Sequence, residues 1–165
     1  MPGTVIVTDS TASLPADVAT KRGIVVVPLQ VVIGAQVYDE VMAEGDDGAT
    51  PAMVAEALKE FRPVSTSRPT PSALLEVYEQ AAAAGATEIV SVHLSGEMSG
   101  TFESAQLAAG DVSVPVHTVD TRQVGIAAGF AVLSAADVLD AGGSAEDAAA
   151  APIRPPRRRY SRVST

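Results

Sequence analysis

Three short apolar runs rich in β-branched residues, at 4–8, 88–94 and 114–119, each empty into a polar loop that opens a helical segment. A run of that kind reads as a buried strand. Its repetition as strand, loop and helix predicts an α/β fold: a mostly parallel sheet with helices on both faces. Right-handed crossovers then gather the loops at 8–13, 95–101 and 120–123 on one edge. In such sheets ligands bind beyond the carboxyl ends of the strands.

The intervening segments fit that plan. Ser13 is a candidate N-cap for a helix starting near Leu14-Pro15 and leaving at Gly23. Residues 24–29 read as a second apolar strand. Residues 31–33 and 36–38, split by Gly34-Ala35, read as a small hairpin. Met53, Val54, Ala57, Leu58 and Phe61 make a helical stripe over 51–61, and further helices are expected at 74–85, 101–109 and 126–139. Residues 39–50 and the proline-punctuated stretch 62–71 read as loops. The expected domain is 1–150. Beyond it, residues 151–165 form an atypical Arg/Pro-rich tail, expected to be disordered or translated out of the original frame.

Composition narrows the chemistry. The chain has 165 residues, enough for one domain with a real core, and it is 47% hydrophobic but only 4% aromatic. The core must therefore be built from Val, Ile, Leu and Ala. With no cysteine and two histidines, thiol chemistry is excluded and a metal cage is not expected; no cofactor is expected either. Net charge is −9, yet the last twelve residues hold five of the eleven cations and no acid. So acidic a body does not suit nucleic acid, whose phosphates need Lys and Arg. No basic flank precedes an apolar run at the N-terminus and no stretch reaches membrane-spanning length, so a cytoplasmic protein without stable membrane insertion is expected.

Two loops carry the hydroxyls. Ser95-Gly96-Glu97-Met98-Ser99-Gly100-Thr101 follows a strand and opens a helix, where glycines let a ligand approach and helix-start amides offer donors to an anion. It lacks the lysine of a phosphate-binding P-loop, and a tight, capped turn accounts for it equally well. Ser65-Thr66-Ser67-Arg68-Pro69-Thr70-Pro71 is a stiff hydroxyl cluster that suits a carboxylate or phosphate, or caps the next helix through Thr70 or Ser72. His93 ends a strand, where it serves either as a phospho-acceptor or base, or as a satisfied core residue. Asp9 and Asp120 end strands too, as acid–base or cation ligands or as caps. Ser10 and Ser99 are hydroxyl nucleophiles only with a base beside them, and the nucleophile-elbow pattern is missing.

Together these segments resemble the DegV family. Val7-Thr8-Asp9-Ser10-Thr11-Ala12 is similar to its opening strand and turn, and Val27-Pro28-Leu29 to its second strand. Thr66-Ser67-Arg68-Pro69 resembles its Thr-Ser-Gln-Pro loop, with arginine in place of glutamine. Residues 94–105 resemble its Leu-Ser-Ser-x-x-Ser-Gly-Thr-Tyr-x-Ser-Ala block, with Gly96 for the second serine and Phe102 for the tyrosine. Val119-Asp120-Thr121 matches a later strand end.

The resemblance implies a carrier and not an enzyme. It implies one long-chain fatty acid of the palmitate or oleate class, held non-covalently in an apolar tunnel between two domains and presented to a separate fatty acid kinase. Thr66 and Ser99 would bind its carboxylate, with Ser95 a further candidate in the same loop. It also implies a C-terminal domain that this sequence does not contain, so a truncated domain without ligand is an alternative. A phosphotransfer or hydrolase enzyme using His93 or a loop serine is the other.

Overall fold

The computed structural model describes residues 3–41 and 48–153. Four parallel strands form the main sheet in the order β2 (Ile24–Val27), β1 (Thr4–Asp9), β6 (Glu88–His93), β7 (Val116–Asp120). Strand neighbours change direction between β1 and β6. From β1 the chain moves to β2 through α1 (Ala16–Arg22); from β6 it moves the opposite way to β7 through α4 (Thr101–Ala109). If both crossovers are right-handed, the two helices must lie on opposite faces. Two core clusters record that division. Ile6, Val90, Val92 and Val119 pack with Ala19 of α1 and with α5 (Ile126–Asp140) and α6 (Ala145–Ala150). Val7 and Ile89, pointing the other way from the same strands, pack with α3 (Pro71–Ala83) and α4.

The scarcity of aromatics shapes this packing. Small side chains on α5, among them Ala128, Ala131, Ala135 and Ala136, are buried and let the helix lie close to its neighbours. A Cβ at Gly129 would stand 2.4 Å from the Ala12 carbonyl oxygen, so there the helix touches the turn after β1 backbone to backbone.

A second, smaller sheet is antiparallel, in the order β4 (Gln36–Asp39), β3 (Gln30–Ile33), β5 (Val64–Ser67). Val31, Ile33 and Val64 share a face that packs on Ala57 and Val54 of α2 (Pro51–Lys59). The hairpin at Gly34-Ala35 is as expected, but β5 lies inside the segment expected to be loop. Being an edge strand with only Val64 turned into a core, it carries no apolar alternation to betray it. Two further expectations change. Ser13 does not cap α1: it has φ 51° and closes a 3-10 turn over Ser10–Ala12, while Pro15 occupies the N-cap without a side-chain bond. And the chain resumes as a helix after Gly142-Gly143. Ser144 accepts the Asp147 amide at 3.1 Å and starts α6, a capping pattern present in the sequence. Ala151–Ile153 follow as a 3-10 turn; the remainder of the Arg/Pro tail lies outside the described residues. Among the described residues no helix is long and apolar enough to cross a membrane.

Candidate ligand-binding site

The three polar loops do meet at one edge, joined by hydrogen bonds. The Ser95 amide donates to the Gln123 carbonyl at 2.9 Å, and the Thr121 amide to the His93 carbonyl at 3.1 Å. Asp120 accepts the Gly96 amide at 3.1 Å and the Arg122 amide at 2.8 Å. A Cβ at Gly96 would stand 3.1 Å from Asp120 Oδ2, a tight fit that favours glycine in this loop.

At the direction change between β1 and β6 the edge is sealed by a buried polar chain. Asp9 Oδ2 accepts from His93 Nδ1 at 2.8 Å and from the Leu94 amide at 3.2 Å; Oδ1 accepts from the Thr11 amide and hydroxyl. His93 Nε2 lies 2.7 Å from Ser91 Oγ, which lies 2.7 Å from Tyr78 Oη. One direction of donation satisfies every group: Tyr78 to Ser91, Ser91 to Nε2, Nδ1–H to Asp9. Burial alone would raise the Asp9 carboxyl, but the hydrogen bonds from His93, Thr11 and Leu94 outweigh it and hold the group below its ordinary value. Burial pushes the Tyr78 phenol up to about 12 despite its bond with Ser91. His93 is 1% exposed with both nitrogens engaged, the arrangement of a satisfied core residue. Ser10 is likewise buried, bonded to Glu40 and to the Leu29 amide.

The hydroxyl candidates lie to the side of this plug. Ser99 is half-buried just ahead of α4; its Oγ accepts the Thr101 amide at 3.3 Å and lies 2.9 Å from Thr101 Oγ1. Thr66 is exposed on β5, paired with Val31 and therefore on the α2-covered face at its open end. Arg68, two residues on, reaches the start of α4: Nη1 donates to the Gly100 carbonyl at 3.3 Å and to Glu103 at 2.9 Å. The structure thus links the 65–71 segment to the Ser99 helix start. Ser95 is placed differently. It is 5% exposed, and its hydroxyl accepts the Glu97 amide at 3.3 Å inside the turn. Thr70 caps α3 through the Ala73 amide at 3.2 Å.

Beside the helix start runs an open groove of about 960 Å³. Its apolar wall is Phe102 from the first turn of α4 with Ala127, Phe130 and Ala131 of α5 and Ile153, and the end of β7 with the loop after it, from Asp120 to Gln123, makes a polar side. Phe130 and Ile153 are more than half exposed. Sequence reading missed this groove, because Ile126 and Phe130 look like ordinary members of an apolar helix; α5 is so rich in alanine that no single stripe stands out. Among the described residues no group of three or more His, Asp or Glu is gathered to hold a metal.

The parallel sheet thus places a hydroxyl-bearing helix start beside an open groove with an apolar wall. The model of an uncharacterised protein family, the DegV family, matches residues 4–152, and the chain belongs to that family. A DegV domain-containing protein of Streptomyces coelicolor is 47% identical over 146 residues, which is 88% of this chain and 50% of that protein. One from Deinococcus radiodurans is 37% identical over 142 residues, 84% of this chain and 48% of the relative. Among solved structures, a DegV family protein from Thermus thermophilus described for its fatty acid binding superposes with a TM-score of 0.80 at 34% identity, covering 90% of this chain and 51% of its own. DegV of Bacillus subtilis, described as a fatty acid binding protein, gives 0.81 at 30% identity, covering 92% and 53%. The chain spans about half the length of the relatives it matches.

Proposed function

We propose that this chain binds a long-chain fatty acid of the palmitate or oleate class non-covalently, without turning it over. The acyl chain lies in the groove walled by Phe102 and Phe130, and the carboxylate is held by the hydroxyls of Thr66 and Ser99. The observation that carries this reading is the adjacency of an exposed apolar groove to a hydroxyl-bearing helix N-terminus, in a fold whose solved relatives are described as fatty acid binding proteins. The division of labour follows from magnitudes. Each buried methylene contributes about 0.8 kcal/mol, so the hydrocarbon supplies most of the affinity. The hydroxyls and helix-start amides orient the head group. Ser95 supports the turn that presents Ser99. We further propose that the loaded protein offers its carboxylate to a separate fatty acid kinase.

Native mass spectrometry of the purified chain, with extraction of any bound lipid and titration with palmitate or oleate, tests the binding. One fatty acid per chain is expected. Ser99→Ala and Thr66→Ala should each weaken it by about 1.5–3 kcal/mol, the range for hydrogen bonds to a charged group. An empty protein that refuses added acid would overturn the reading; unchanged affinity in the double variant would overturn the residue assignment alone. For the kinase step, acyl phosphate should form faster from protein-bound than from free acid when a fatty acid kinase and ATP are added.

A further inference from the structure

Arg68 stands in the head-group region but has no part in the function proposed above. A Cβ built on Gly100 would lie 1.8 Å from its Nη1 and 2.7 Å from its Cζ, so the guanidinium fills the space where another residue would carry its side chain. From there Nη1 bonds the Gly100 carbonyl and the Glu103 carboxylate. Gly100 is the N-cap of α4, so a cation is held against the positive end of a helix dipole. Two positive sources side by side call for an anion, and Glu103, in the first turn of α4, supplies it. That partner is loosely held: the Glu103 side chain is 68% exposed and that of Arg68 48%, which makes a screened surface pair of little strength. Among the described residues only Nη1 of the guanidinium is engaged, which leaves its planar fork open to a bidentate acceptor.

We propose that Arg68 is a specificity-determining residue for the ligand's head group. Its guanidinium rests on Glu103 in the free protein and takes the fatty acid carboxylate in place of the Glu103 carboxylate on binding. It thereby selects an ionised acid over a neutral lipid with the same chain. This inference rests on the fatty-acid reading of the site. Glu103 acts as a placeholder that the ligand displaces, since two carboxylates on one guanidinium repel each other.

The test compares oleate with oleyl alcohol, which has the same hydrocarbon and no charge, by displacement of a fluorescent fatty acid probe from the full chain. Arg68→Gln should weaken oleate by roughly tenfold or more, in line with a lost hydrogen bond to a charged group. Oleyl alcohol should stay within about twofold of the parent if the head group supplies only orientation and charge recognition. Glu103→Gln, at an exposed position, should strengthen oleate by a few-fold. Gly100→Ala, which expels the guanidinium from its seat but keeps its charge, should move oleate in the direction of Arg68→Gln. If Arg68 were only a brace between β5 and α4, Arg68→Gln and Glu103→Gln would weaken both ligands alike, and that result overturns the proposal. So does unchanged oleate affinity in Arg68→Gln. A parent chain that binds neither ligand removes the fatty-acid reading itself, a different result from a parent that binds oleate while its variants do not differ.

Discussion

Asp9 carries more of the site's architecture than any residue that faces the groove. Its carboxylate accepts four hydrogen bonds and joins the loop after β1 to the first residue of the loop after β6. Asp9→Asn should cost about 1–3 kcal/mol in urea denaturation, because its NH2 replaces one carboxylate oxygen and leaves buried donors of Thr11 or of His93 and Leu94 without an acceptor. The pH dependence has a definite sign. The folded pKa lies below the ordinary 3.8, so this stabilisation is complete above that value and is lost as pH falls through the folded one. The parent's urea midpoint should drop as pH falls below the ordinary 3.8 and through the lower folded value, and Asp9→Asn should flatten that drop. Tyr78 behaves oppositely: it ionises only near 12, so its share of stability is present below the ordinary 10.0 and goes as pH rises. In alkaline titration followed by ultraviolet absorbance, Tyr78→Phe should remove one late step. Much of this was legible at single positions. His93 on an apolar run pointed to a satisfied core residue, and Asp9 before two hydroxyls pointed to a cap. Tyr78 as the far end of the chain was not, because nothing local tells a helical tyrosine which strand residue it will meet.

Among the elements, legibility followed burial. The central parallel strands β1 and β6 are buried along most of their length, and all four strands of the main sheet are rich in β-branched residues, so alternation with helices was enough to predict it. Strand β5 is an edge whose register comes from β3, a partner far away in sequence. No pattern within residues 64–67 could reveal it, and the same holds for the closeness of Arg68 to α4. Helix α6 is the opposite case, since Ser144 and Asp147 announce it and the preceding double glycine masks the signal. The close seat of α5 is testable. Gly129→Ala forces a Cβ against the Ala12 carbonyl oxygen at 2.4 Å. It should destabilise the protein by about 1–3 kcal/mol through overpacking, whereas helix propensity alone favours alanine by up to about 1 kcal/mol. Thermal unfolding of the two proteins decides which effect is larger.

Across the whole molecule, the buried polar network and the open groove lie in different places. The point where the strand order reverses, the usual ligand crevice of a doubly wound sheet, is plugged by the Asp9–His93 pair, and the groove opens beyond β7. Exposed Phe130, Ile126 and Ile153 give that side an apolar surface of the kind that marks an interaction site. The parent should bind an environment-sensitive apolar dye, and Phe130→Ser should reduce the signal without shifting the unfolding transition by more than about 0.5 kcal/mol. The fold class was readable because strand composition carries it. The groove was not, because it arises from how α4, α5 and the turn after α6 come together. The plug also has a consequence for descent. A buried polar network with a missing member is worse than a hydrocarbon filling. In an alignment of relatives, chains that keep histidine at this strand end should therefore keep the serine two places before it and the helical tyrosine. Chains that lose the histidine are released to replace all three with oily side chains. Histidine, serine and tyrosine would then pass from ancestor to descendant as a linked block and mark a lineage.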